Sequence, residues 1–193
     1  EDNHIIAVNK ACGELVQSDI TNERTIVDET KDYLKEKYNK PGNVFLGVTH
    51  RIDRPTSGVV LFARTSKALV RLNKMFQDKN AFRKTYWAVV DRIPEPGQAT
   101  ITHWLVRNNQ QNKSYAFPSP RNDAKEASLT YKYIASSDRY HLLEIELHTG
   151  RHHQIRAQLA AIGCLIKGDM KYGFPRSNPG GGIHLHARKI EFE

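Results

Sequence analysis

Val44-Phe45-Leu46-Gly47-Val48-Thr49-His50-Arg51-Ile52-Asp53-Arg54-Pro55-Thr56-Ser57-Gly58-Val59-Val60-Leu61-Phe62-Ala63 reads as strand, loop, strand. Val44 to Thr49 and Val59 to Ala63 are short apolar runs rich in β-branched residues, the pattern of buried strands. The segment between them carries a carboxylate flanked by two arginines. Pro55 fixes its own φ and biases Arg54 away from helix. Thr56 and Ser57 can bond nearby main chain, and Gly58 permits a tight re-entry into the second strand. Such a loop is rigid, and a rigid carboxylate beside positive charge stays ionised at neutral pH. Asp53 can therefore serve as a nucleophile or charge stabiliser. It can equally be a turn aspartate paired with Arg51 or Arg54.

Outward from this loop, strands predominate. His4 to Asn9 is a short apolar strand, with a turn at Ala11-Cys12-Gly13 and a second short strand over Glu14 to Gln17. Thr25 three residues before Asp28 is a capping-box spacing, and it opens a helix that runs through Lys37 and ends at Pro41-Gly42. Thr65 caps a second helix with Leu69, Leu72 and Phe76 on one face. Phe82 to Val90, Thr100 to Val106, Glu126 to Ala135 and Tyr140 to Leu147 are strands. The polar stretch Arg107 to Asp123 is a hairpin or flexible insert. His152 to Ile162 is a third helix, Phe174 to Gly182 a loop, and Ile183 to Phe192 a last strand. The expected fold is α+β: a mixed, mainly antiparallel central sheet flanked by helices and loops, in one domain over 1–193.

Composition narrows the chemistry. The 193 residues carry 29 Lys and Arg against 21 Asp and Glu, a formal net charge of +8. That excess favours a polyanionic partner, RNA or DNA. No apolar run approaches a membrane span, and no basic, apolar leader is visible. The expectation is a cytoplasmic protein, with Cys12 and Cys164 as reduced thiols and Asn112-Lys113-Ser114 a chance match to the glycosylation pattern.

Three further segments carry candidate chemistry. Leu147-His148-Thr149-Gly150-Arg151-His152-His153-Gln154-Ile155-Arg156 joins a strand to a helix whose free N–H groups favour an anion. His152 and His153 are adjacent, so they do not face one metal, and no metal site is expected. Lys84-Thr85-Tyr86 lies on a strand, and if Trp87 faces the core, Tyr86 faces a groove. Lys167-Gly168-Asp169 begins a charged turn, and His184-Leu185-His186-Ala187 lies on the last strand.

These elements, in this order, resemble the RluA family of RNA pseudouridine synthases. The likeness rests on His50-Arg51-Ile52-Asp53 with Thr56-Ser57-Gly58, Lys84-Thr85-Tyr86, and Thr149 to Arg156. It is completed by Gly168-Asp169 with Tyr172-Gly173, by Leu185-His186-Ala187, and by the opening Asp2 to Lys10. The family often places Pro where this chain has Ala11, and many members carry an S4-type RNA-binding domain that is not seen here.

The resemblance implies the pseudouridine synthase fold, with the active-site cleft across the sheet. It implies isomerisation of uridine in structured RNA, large-subunit ribosomal RNA first and transfer RNA as the alternative. No cofactor is implied, and the expected state is a monomer. It makes Asp53 the essential carboxylate, acting by covalent attack or through a glycal. Arg151 is then its guanidinium partner, and Tyr86 the ring that stacks on uracil and helps remove the C5 proton. Arg51 fills the space vacated by the displaced base. His50, Arg54 and Thr56 are the other expected RNA contacts of the first motif; His153, Gln154, Arg156 and Lys167 are those of the later ones. Two other readings remain open: an RNA-binding module without chemistry, and a glycosidic hydrolase with Asp169 as second acid.

Overall fold

The structure, a computed structural model, describes residues 1–18, 22–78 and 81–192. The chain divides into two compact units, Glu1–Phe82 with Phe192–Glu193, and Arg83–Glu191. No described helix is long and apolar enough to cross a membrane.

In the first unit, β3 (Ser57–Ala63) takes β1 (Ile5–Lys10) on one edge and β2 (Gly47–Val48) on the other, both antiparallel. β3 is nearly all apolar because Val60, Leu61, Phe62 and Ala63 are buried on both faces. α1 (Ile26–Lys37) starts where the sequence placed it. Thr25 accepts from the Asp28 N–H while the Asp28 carboxylate accepts from Thr25, a complete capping box. α2 (Ser66–Gln77) is capped by Thr65 and buries Ala68 and Leu72.

Two expectations fail here for a shared reason: side chains take main-chain groups that a ladder would have used. Glu14 to Gln17 is not a strand. The Glu14 carboxylate folds back onto the Ala11 N–H at 2.7 Å, and its carbonyl accepts from the Lys10 ammonium at 2.9 Å. β2 covers only two of the six residues expected. Past it, Thr49 Oγ1 donates to Leu61 O at 2.5 Å and His50 Nε2 accepts from Leu61 N at 3.0 Å. Side chains thus satisfy the edge of β3, and the chain is released into the Asp53 loop.

The second unit is a sheet in the order β9-β4-β8-β7-β5-β6. Its strands are β4 (Phe82–Val90), β5 (Gln98–Asn108), β6 (Lys113–Phe117), β7 (Lys125–Ser136), β8 (His141–Leu147) and β9 (Leu185–Phe192). Every described ladder among β4 to β8 is antiparallel. The polar 107–123 stretch closes the β5–β6 hairpin and then leads toward β7. Period-two alternation puts Tyr86, Ala88 and Val90 with Leu143 and Ile145 on one buried face, while Trp87 and Glu144 lie on the other. α3 (Gln154–Ala161) covers the buried face; Gln158 Nε2 donates to Ala127 O at 3.1 Å, and Leu105, Ala127, Ala157 and Tyr172 pack together.

α3 begins two residues later than expected. His153 sits at φ 51, a left-handed conformation that cannot continue a helix backwards.

Candidate functional site

The Asp53 loop is held from several sides within the first unit. The Asp53 carbonyl accepts from Thr56 N at 3.0 Å, closing a turn, and Thr56 is 2% exposed. Gly58 re-enters β3 at φ 118, a conformation that other residues rarely adopt. The His50 ring lies 5.2 Å from Phe76. Arg54 is not the partner of a lone turn aspartate. Its guanidinium clasps the Glu23 carboxylate at 2.7 and 3.1 Å, and its Nε donates to Gly13 O at 2.9 Å. Asp53 is half-buried, and Arg51 beside it is exposed.

Lys10 completes this scaffold, and the sequence reading missed it. Its side chain is 1% exposed. The ammonium donates to Ala11 O, Glu14 O and Arg54 O at 2.8, 2.9 and 3.0 Å, tying the turn after β1 to the residue following Asp53. Burial pushes its pKa down to about 8, against the pull of Glu14, Cys12 and Asp53. The signal was present: Ile6, Val8 and Lys10 share one face of β1, so a lysine occupies an inward position.

In the second unit, Tyr86 pairs with Ile145 and is 8% exposed. The premise that Trp87 faces the core is reversed. Trp87 is 37% exposed, with its indole N–H 3.4 Å from Glu144 and the Arg188 guanidinium 4.8 Å from its ring. Lys84, two residues before Tyr86 and on the same side of β4, has its pKa lowered to about 8 by burial.

Arg151 stands exposed on the turn between β8 and α3, its Nε donating to Glu126 O at 2.9 Å. Gln154 builds that turn. Its Oε1 accepts from Arg151 N at 2.9 Å and Thr149 Oγ1 at 2.8 Å, and its Nε2 donates to Ser128 O at 3.0 Å. His153 is buried, with Nδ1 3.1 Å from the Tyr172 hydroxyl. Burial, then Arg156 and His152, drive its pKa down to about 2. His152 Nδ1 lies 2.8 Å from Ser114 Oγ, and the Tyr172 hydroxyl meets both the N–H and the carbonyl of Ser114. The β5–β6 hairpin is thereby fastened to the start of α3.

Arg156 and Asp169 form a buried ion pair. Nε and Nη2 donate to the two carboxylate oxygens at 2.7 and 2.8 Å, with side chains 4% and 2% exposed. The guanidinium also lies 5.0 Å from the Tyr172 ring. Asp169, weighed above as a second acid, is thus committed to a structural pair.

Of the expected RNA contacts, Arg51 and Arg54 are exposed and Lys167 is half-buried. His50, Thr56, His153, Gln154 and Arg156 point into the fold, and His50, His153, Gln154 and Arg156 bond to it there. Among the described residues, no three His, Cys, Asp or Glu side chains gather in a metal-binding arrangement.

The sequence profile described as RNA pseudouridylate synthase matches residues 4–161. The chain is 31% identical over 181 residues to an uncharacterized RNA pseudouridine synthase of Aquifex aeolicus, covering 92% of this chain. It is 33% identical over 175 residues to the ribosomal large subunit pseudouridine synthase D of Zymomonas mobilis, covering 90%. It spans 56% and 54% of these relatives' own lengths. The solved structure of human RNA pseudouridylate synthase domain containing 4 shares the fold, with a TM-score of 0.84 at 24% identity, over 98% of this chain and 81% of that one.

Proposed function

This chain belongs to the RNA pseudouridylate synthase family, and from that premise we propose that it isomerises uridine in RNA to pseudouridine. The observation that carries the proposal is the Asp53 turn, fixed by Lys10, Arg54 and Gly58 and lying inside the matched region. A binding module has no need to immobilise a half-buried carboxylate in this way. A hydrolase needs a second acid, and its candidate, Asp169, is held by Arg156.

The reaction breaks the uracil N1–C1′ bond, turns the base, and joins C5 to C1′. The proton leaves C5 and N1 gains one, so atoms balance without an oxidant or cofactor. Asp53 is the carboxylate that opens the reaction, by attack on carbon or by removal of a sugar proton. Tyr86 is the ring on which uracil stacks and the group that helps move the C5 proton. Arg151 is the guanidinium that the family resemblance pairs with the Asp53 carboxylate, and its own Nε donates to Glu126 O. Arg51 enters the RNA stack when the target base leaves it. Thr56, His50, His153, Gln154 and Arg156 act as scaffold for these groups. Arg54 reaches RNA only by sharing its guanidinium with Glu23.

The substrate is structured RNA, with large-subunit ribosomal RNA first because the Zymomonas mobilis relative is named for it. We place the protein in the cytoplasm as a monomer, with 1–193 serving as one catalytic domain. The test is tritium release from RNA labelled at uridine C5, run on large-subunit ribosomal and transfer RNA transcripts. Release from the ribosomal transcript alone fits the proposal, release from transfer RNA alone reassigns the substrate, and release from neither overturns the activity.

A further inference from the structure

Lys167, which the resemblance makes an expected RNA contact, belongs to a cluster of cations in the second unit that takes no part in the bond-making chemistry. Lys167 and Arg176 converge on Tyr140. The Lys167 ammonium lies 5.2 Å from the centre of the ring. The Arg176 Nη2 lies 3.4 Å from the hydroxyl of the same tyrosine. The Lys167 ammonium also stands 3.4 Å from His184 Nε2. Burial and the Lys167 charge lower the His184 pKa, which favours the neutral imidazole beside the ammonium.

Three features mark this as more than a solvated basic surface. First, the framework is stiff. Lys167 N donates to Val89 O, Val89 N donates to His184 O, and His184 N donates to Lys167 O, each at 2.9 Å. Asn178 Nδ2 spans the Lys167 and Gly182 carbonyls at 3.3 and 2.8 Å. Gly168, at φ 86, has no room for a Cβ, which would meet Asn178 Nδ2 at 2.1 Å. Second, one side chain brackets both cations: the Tyr140 ring faces the ammonium and its hydroxyl faces the guanidinium. Third, among the described residues no carboxylate pairs with either cation, whereas Arg54, Arg64, Arg83 and Arg156 each have one. The ammonium and the guanidinium thus bring positive charge to the ring and to the hydroxyl of one tyrosine, and both attract an anion placed there.

We propose that Tyr140, Lys167, Arg176 and His184 form a phosphodiester-binding site. It holds the RNA backbone at a nucleotide other than the modified uridine. The proposal rests on the RNA reading above and adds to it a second point of attachment. Such a site sets the register of the RNA and carries no sequence information.

The experiment is filter binding of a large-subunit RNA fragment by the whole chain over a salt series, from about 50 to about 400 mM KCl. The Arg176→Gln protein is expected to bind roughly 5- to 10-fold more weakly at low salt. Its plot of log affinity against log salt should be shallower by about 0.7, the loss of one phosphate contact. Tyr140→Phe, which loses the hydroxyl but keeps the ring, should move in the same direction by less. Lys189→Gln removes an exposed cation already paired with Glu191 at 2.7 Å, and its slope should match wild type. An Arg176→Gln slope equal to wild type, with the fold intact by circular dichroism, overturns the site and leaves the RNA reading standing. An equal loss in Lys189→Gln also overturns it, since only net charge would then matter. Absence of salt-dependent binding by the wild-type chain brings down both.

Discussion

Asp169→Asn removes a buried negative charge while keeping the side chain's shape, and its cost follows from the geometry. Two charge-assisted bonds, at 2.7 and 2.8 Å, join Asp169 to Arg156. Both side chains are at least 96% buried, so water does not replace a lost partner. Breaking such a pair by removing one member costs about 3–5 kcal/mol, because the surviving charge is left uncompensated. Asparagine retains one acceptor oxygen, so the lower end applies: about 3 kcal/mol. In a chain of this size that lowers Tm by roughly 6–12 °C. The assay is urea unfolding of wild type, Asp169→Asn, Arg156→Met and the double variant as a thermodynamic cycle. The double variant should be more stable than the sum of the single losses implies, since neither buried charge remains. Turnover per folded molecule should persist in Asp169→Asn, because the proposed reaction makes no use of this carboxylate. A loss within about 0.5 kcal/mol of wild type would refute the electrostatic reasoning. Lost turnover with stability retained would restore Asp169 as a reacting acid.

Two further outcomes concern buried titratable groups. Lys10→Met deprives Ala11 O and Glu14 O of their donor, while Arg54 O keeps the Gly13 N–H. Two carbonyls at about 1–3 kcal/mol each, offset by the removal of a buried charge, give a net loss of about 2 kcal/mol in urea unfolding; an unchanged midpoint would count against the tether. His153 has its pKa pushed down to about 2 in the fold, against about 6.5 unfolded. Below about pH 6.5 the unfolded chain takes the proton first, so stability falls with pH by up to about 1.4 kcal/mol per unit. At pH 5 this amounts to about 2 kcal/mol. His153→Asn, which tolerates the φ of 51, should flatten that slope in thermal melts; an identical slope would contradict the assignment.

The strand and helix pattern was largely legible in the sequence, because it rests on local chemistry. Thr25 and Asp28 announce the start of α1, and alternation along Phe82 to Val90 announces β4. What escaped depends on contacts distant in sequence. Glu14 looked like part of a strand because nothing local says that its carbonyl goes to Lys10. Thr49 looked like the end of a strand because its hydroxyl's destination, Leu61 O, lies twelve residues away. The same limit applies to charge. A guanidinium that docks on a buried carboxylate reads, in sequence, like one that docks on RNA. Arg156 took the first course, while Arg51 stands exposed.

The central claim is that Asp53 performs the chemistry, and tritium release from uridine-C5-labelled large-subunit RNA by Asp53→Asn tests it most directly. The substitution keeps the turn, since Thr56 N bonds to the main-chain oxygen of residue 53 and not to its side chain. Asp53→Asn should fold like wild type, bind the RNA, and release no tritium above background. Release at the wild-type rate from a folded Asp53→Asn protein would contradict the account.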